Sequence, residues 1–99
     1  MSLDTIRVVA RVVALPDKVE AVKSILTSIV LPTRQEKGCI KYELLQNNAD
    51  PRDFTFVEEW ESESLLQKHL ASSHIEAASL ELKNLVTVPT DIRRYHLMA

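Results

Sequence analysis

The stretch that decides the fold runs from residue 39 to residue 60: CIKYELLQ (39–46), NNADPRD (47–53) and FTFVEEW (54–60). The outer two segments have the two-residue alternation of strands. The middle one collects the Asn, Asp and Pro that favour a chain reversal, so the whole reads as a β-hairpin with a long loop. Alternation places Ile40, Tyr42 and Leu44 on one face of the first strand and Phe54, Phe56, Glu58 and Trp60 on one face of the second. Both aromatic faces are expected to be buried.

Upstream, Ile6, Val8, Ala10 and Val12 alternate with Arg7, Val9, Arg11 and Val13 between Thr5 and Leu15, which predicts a further strand. Pro16 and Asp17 then open a helix whose apolar stripe is Val19, Val22, Ile25, Leu26 and Ile29. Pro32 should interrupt it by removing a hydrogen bond. Gly38, the chain's only glycine, suits the left-handed position that closes its last turn.

Downstream, Ser62 is placed to cap a short helix carrying Leu65, Leu66, His69 and Leu70. Ser73-His74-Ile75-Glu76 has the capping-box pattern for a second helical piece, whose stripe is Ile75, Ala78, Leu82 and Leu85. Val86 to Leu97 returns to a strand pattern interrupted by Pro89. The order β-α-β-β-α-β is the ferredoxin-like α+β arrangement, an antiparallel four-stranded sheet with helices on one face. Val9, Val13, Leu45 and Val57 then fall on the other face, among Arg11, Lys41, Glu43 and Glu59. An apolar patch framed by charges predicts a homodimer interface.

Ninety-nine residues, 45% hydrophobic and 26% charged, with no repeat or linker, imply one domain spanning 1–99. A domain this small is marginal alone, which also favours association. The net charge of -2 and scattered basic residues argue against nucleic acid as a partner. Met1 to Asp4 lack a signal-peptide start and no apolar run reaches the roughly 18 residues of a membrane span, so no membrane association and a cytoplasmic location are expected. The single cysteine, Cys39, fits a reducing compartment as a small buried hydrophobe.

Residues with chemical potential follow the hairpin closely. Glu36-Lys37-Gly38-Cys39, Tyr42, Asp50-Pro51, Phe54-x-Phe56-x-Glu58-x-Trp60, Leu66-x-x-His69 and Ser73-His74 together resemble the antibiotic biosynthesis monooxygenase superfamily of dimeric α+β barrels. The resemblance rests on the order and spacing of these pieces and covers nearly the whole chain. It implies a homodimer, a pocket between sheet and helices in each subunit, and oxygenase chemistry on a quinol-like or polyphenolic aromatic molecule with O2 and no organic cofactor. The haem-degrading branch uses an Asn on the first strand, where this chain has Ala10, so that branch is disfavoured.

Cofactor-free oxygenation requires a substrate able to reduce oxygen itself, and a protein that deprotonates it and shelters the anion. His69, beside Leu65, Leu66 and Leu70, is a candidate base or else a satisfied core histidine. His74, in the first turn of its helix, is either a neutral proton acceptor or a surface residue. Trp60 is a candidate pocket donor through its indole N–H, or simply core. Tyr42, Phe54, Phe56 and Leu66 are candidates for lining the substrate pocket. Glu58 is expected to form an ion pair at the dimer interface, since a buried carboxylate needs a partner.

Metal binding is not expected, because the histidines at 69, 74 and 96 lack close helical spacing and no carboxylate completes a set. One glycine also rules out a phosphate-cradling loop. Two alternatives use the same pocket. One is an isomerase of a small sugar-like or phosphorylated carbonyl compound, with Arg7, Arg11 or Arg34 facing the ligand. The other is a non-catalytic stress-response dimer that holds a small ligand.

Overall fold

The hairpin forms as its alternation requires in the computed structural model, which describes residues 5–99; Met1 to Asp4, which bear on the signal-peptide reading, lie outside the described residues. In chain order the elements are β1 (Ile6–Val13), α1 (Val19–Ser28), α2 (Val30–Arg34), β2 (Cys39–Gln46), β3 (Asp53–Trp60), α3 (Glu63–Leu70), α4 (Ser73–Leu82) and β4 (Asp91–Tyr95). The strands pair antiparallel in the order β2-β3-β1-β4, the ferredoxin-like topology. Among the described residues, no helix is long and apolar enough to cross a membrane.

Registered partners share a face of the sheet, so the pairs Ala10↔Phe56, Tyr42↔Glu58 and Leu44↔Phe56 gather the inner side chains under the helices. Val8, Ala10, Val12, Phe54, Phe56 and Trp60 are all buried there. The helices contribute Val22, Leu26, Leu66, Ala78 and Leu82 to the same core. The opposite face keeps Val9 and Leu45 exposed between the ion pairs Arg7–Glu59 and Arg11–Asp53, the mixture that the alternation predicted.

Ile40 does not join the inner face. Cys39 pairs with Trp60 and Lys41 with Glu59, so one extra residue is accommodated between them and Ile40 is left half exposed. A bulge of this kind restarts the alternation and brings Cys39 against the core instead.

Pro32 does divide the helical stretch. It has no N–H for the Ser28 carbonyl, and the helix breaks at Ile29. The second piece closes at Gln35, whose N–H reaches Pro32 and Thr33 carbonyls. Gly38 therefore does not cap that helix; it turns the chain into β2 with φ of 89°. A side chain there would also collide with Leu65, whose Cδ1 would stand 2.5 Å from an added Cβ.

Ser62 caps α3 as expected, its hydroxyl accepting from the Leu65 N–H. The capping box at Ser73 does not form. Ser72 occupies the N-cap position of α4, and its hydroxyl donates to the His69 carbonyl at 2.7 Å, closing α3 instead. The final strand is shorter than its pattern suggested: Val86 makes only an isolated bridge to Ala14, and regular pairing with β1 begins at Asp91, two residues beyond Pro89.

Candidate active site

Between the inner sheet face and the helices lies a cavity of about 100 Å³. Its walls are mostly aliphatic, from Val8 and Val12 on β1 to Ile75 and Leu82 on α4, and the titratable groups that line it are Tyr42, Glu58 and His69. A few polar groups converging in an apolar enclosure are the usual makeup of a small-molecule site.

His69 reaches this cavity from the last turn of α3, where the apolar stripe turns it inward and leaves it 3% exposed. Its Nδ1 lies 2.8 Å from Oε2 of Glu36, which stands in the turn between α2 and β2. The same oxygen meets Nε2 of His74 at 3.0 Å, and the buried hydroxyl of Thr33 meets that nitrogen at 3.1 Å. An ionised carboxylate only accepts, so these two ring nitrogens carry the protons in the contacts. For a neutral His69, the lone pair is then on Nε2. Burial pushes the His69 imidazole below its ordinary pKa, while the hydrogen bond and charge of Glu36 partly restore it. The result is a neutral base at the cavity, oriented by a carboxylate behind it.

Glu58 stands on the inner face of β3 and is 4% exposed. It lines the cavity and does not form the interface ion pair expected of it. Its Oε1 accepts the Trp60 indole N–H at 2.9 Å, because residues two apart on a strand share a face. Burial is the main cause that pushes the carboxyl up to about 6; the indole hydrogen bond opposes this and the charge of Glu36 reinforces it. Trp60 is consequently not a free donor. It is fully buried against His69, with ring centroids 4.6 Å apart and planes tilted by 33°.

Tyr42 and Phe56 line the cavity, with ring centroids 4.9 Å apart and planes tilted by 31°, and Tyr42 meets His69 edge-on at 5.5 Å. Burial raises the Tyr42 hydroxyl pKa, which keeps the phenol protonated and able to donate. Phe54 and Leu66 are buried in the core and do not line the cavity: Phe54 pairs with Val12 and Gln46 near the loop end of the hairpin, and Leu66 faces inward one turn before His69. His74 touches the cavity only indirectly, through Glu36. Arg7 and Arg11 sit on the outer face with Glu59 and Asp53, and Arg34 donates to the Tyr42 carbonyl, so none of the three reaches the cavity.

Sequence reasoning missed Glu36 as the carboxylate of this group. It lies 33 and 38 residues from the two histidines, and no local period connects them. The signals for it are its place at the head of the family-like Glu36-Lys37-Gly38-Cys39 segment and its position two residues before Gly38, which turns the chain there.

A four-stranded ferredoxin-like sheet, with a histidine and carboxylates enclosed between it and its helices, defines a class of small α+β pocket proteins. The family described as antibiotic biosynthesis monooxygenase matches residues 5–79, and the chain belongs to that family. A relative from Mycobacterium tuberculosis named "Putative monooxygenase Rv0793" is 30% identical over 87 residues, covering 88% of this chain and 85% of that protein. A Synechocystis relative, "Uncharacterized protein sll1783", is 26% identical over 94 residues; the match takes in 95% of this chain but spans only 64% of that protein's length. The crystal structure of protein SO0527 from Shewanella oneidensis is similar with a TM-score of 0.91 at 31% identity, covering 97% of this chain and 93% of that one. The resemblance read from the sequence is thus borne out at the level of family and fold.

Proposed function

We propose that the chain is a cofactor-independent monooxygenase acting on a single-ring quinol-like compound, with His69 as the base and Glu36 as its positioning partner. The observation that carries this reading is a buried His69, braced at Nδ1 by Glu36, in the lining of a mostly aliphatic cavity that Tyr42 and Phe56 also line. Family membership and the name of the Mycobacterium relative support the reaction class. The cavity of about 100 Å³ is smaller than the void of about 150 Å³ that accommodates benzene, so even one ring requires its walls to give, and a fused polycycle is disfavoured.

In this mechanism Nε2 of His69 takes the phenolic proton and the carboxylate of Glu36 stabilises the imidazolium that forms. Tyr42 and Phe56 hold the ring, and the apolar walls exclude water from the electron-rich anion. That anion reduces O2 directly. One oxygen atom enters the ring and the other leaves as water, with the quinol supplying all four electrons and ending as a hydroxyquinone. His74 extends the hydrogen-bonded chain from Glu36 toward solvent, a path for the proton's return. A second copy of the chain covering the exposed Val9 and Leu45 face would complete the assembly, in the cytoplasm.

A phosphorylated isomerase substrate is less well served, because no Lys or Arg among the described residues lines the cavity and Glu58 would repel a phosphate. The test is oxygen uptake with a panel of single-ring hydroquinones, corrected for autoxidation, for the wild type and His69→Ala. Protein-dependent uptake that falls at least about 10²-fold in the variant is expected of a lost general base. No uptake above the autoxidation control with any compound would overturn the oxygenase reading and leave a ligand-binding dimer as the better description.

A further inference from the structure

Beyond extending the hydrogen-bonded chain toward solvent, His74 places a second imidazole on the carboxylate oxygen that holds His69. Oε2 of Glu36, Nδ1 of His69 and Nε2 of His74 all lie within 4.8 Å of one another. They come from three separate places, the turn before β2, the end of α3 and the start of α4. Two histidines and a carboxylate converging in this way form the donor set of an open three-ligand site for a borderline divalent cation.

We propose that Glu36, His69 and His74 bind a divalent transition-metal ion of the zinc type, and that its binding shuts off proton transfer at His69. Ligand bonds of about 2.0 to 2.2 Å at tetrahedral angles set neighbouring donor atoms roughly 3.3 to 3.5 Å apart. The 2.8 and 3.0 Å separations from Glu36 open to that value by about half an ångström, and the two imidazole nitrogens, within 4.8 Å of each other, draw together to it. Glu36 and His74 side chains are 17% and 26% exposed, which gives the ion a route in from solvent and leaves its fourth position to water. Hard cations are poorly matched, since Mg2+ and Ca2+ take oxygen ligands.

Proton balance links the site to the cavity. To coordinate through Nδ1, neutral His69 gives up the proton it shares with Glu36 and carries its one remaining proton on Nε2. Nε2 of His69 then presents an N–H to the cavity where a lone pair had been, so the base is gone while the pocket keeps its shape. This inhibitory half rests on the reading of His69 as the base; the binding half does not.

Isothermal titration of the EDTA-treated wild-type protein with ZnCl2 tests the site without any turnover. The expected result is one Zn2+ per chain, with affinity reduced at least about 10-fold in His74→Ala and in Glu36→Gln and with no heat from MgCl2. Cys39→Ser and His96→Ala, which remove other soft donors, should retain wild-type affinity, and metal-free melting curves confirm that each variant is folded. Absence of binding, or binding lost in Cys39→Ser or His96→Ala but kept in His74→Ala, would overturn the site. Oxygen uptake that falls in step with Zn2+ occupancy and returns with EDTA is expected. Full uptake at full occupancy would refute the inhibition alone, and a protein with no uptake at all would defeat the oxygenase reading while the titration still decides the site.

Discussion

Replacing Glu58 with glutamine should stabilise the fold at neutral pH and hardly change it in acid. The carboxyl is 4% exposed, has no ion pair among the described residues, and is pushed up to about 6 from the 4.5 of an ordinary glutamate. Its folded-state value is raised, so between pH 4.5 and 6 the unfolded chain has already released a proton that the native state retains. Stability from this group therefore falls as pH rises through that window and levels off above it. The displacement corresponds to about 2 kcal/mol. The amide introduced by Glu58→Gln keeps the shape of the side chain, and its carbonyl oxygen can still accept the Trp60 indole N–H without ionising.

Urea unfolding at fixed protein concentration, followed by fluorescence of Trp60, measures this at pH 4, 5, 6 and 7.5. The difference in stability between Glu58→Gln and wild type should grow by about 2 kcal/mol in favour of the variant from pH 4 to pH 7.5. His69 contributes with the opposite slope, because its depressed pKa makes the fold lose stability as pH falls through the ordinary histidine range. That slope is common to both proteins and cancels in the difference. A difference that stays flat with pH, or that favours the wild type more at pH 7.5, would refute the claim that Glu58 is a carboxyl held up by burial.

Other perturbations have outcomes as definite. Gly38→Ala combines a left-handed φ of 89° with a collision against Leu65, and should cost about 1 to 3 kcal/mol in urea unfolding. Ser62→Ala removes the cap on the Leu65 N–H and should cost about 1 kcal/mol, seen as a lower melting temperature with catalytic constants little changed. Glu36→Gln should reduce quinol-dependent oxygen uptake about 10²-fold at a nearly unchanged KM, since the amide orients the ring without stabilising an imidazolium; equal activity would show that Glu36 does not assist the base.

The first three strands are legible because alternation is a local signal, whereas the last is cut back to Asp91–Tyr95 beyond Pro89. β2 was bounded at Cys39 and Gln46, and β3 differed by the single residue Asp53. Ile40 broke the pattern because a bulge adds one residue without altering the composition around it. The capping box at Ser73 failed through competition: two adjacent serines could serve α4, and the hydroxyl of Ser72 had a carbonyl of α3 to close. In the site, His69 was readable from its place on an apolar helical stripe. Glu58 was assigned a partner by the rule that buried charges pair, whereas the structure meets that demand by raising its pKa and supplying an indole N–H. Glu36 depended on contacts across the fold, which no window of sequence contains.

The two carboxylates near the cavity differ in their surroundings. Glu36 accepts from two imidazoles and sits at the solvent side of His69; Glu58 accepts one indole N–H and sits in an apolar wall. Trp60 joins them physically, donating to Glu58 while its ring packs at a tilt against the imidazole that Glu36 orients. Shortening Trp60 would therefore disturb both ends at once, freeing Glu58 from its donor and His69 from its packing partner. Through the end of β3, Trp60 thus holds Glu58 and His69 in fixed relation beside a cavity of about 100 Å³ that both line, together with Tyr42 and Phe56.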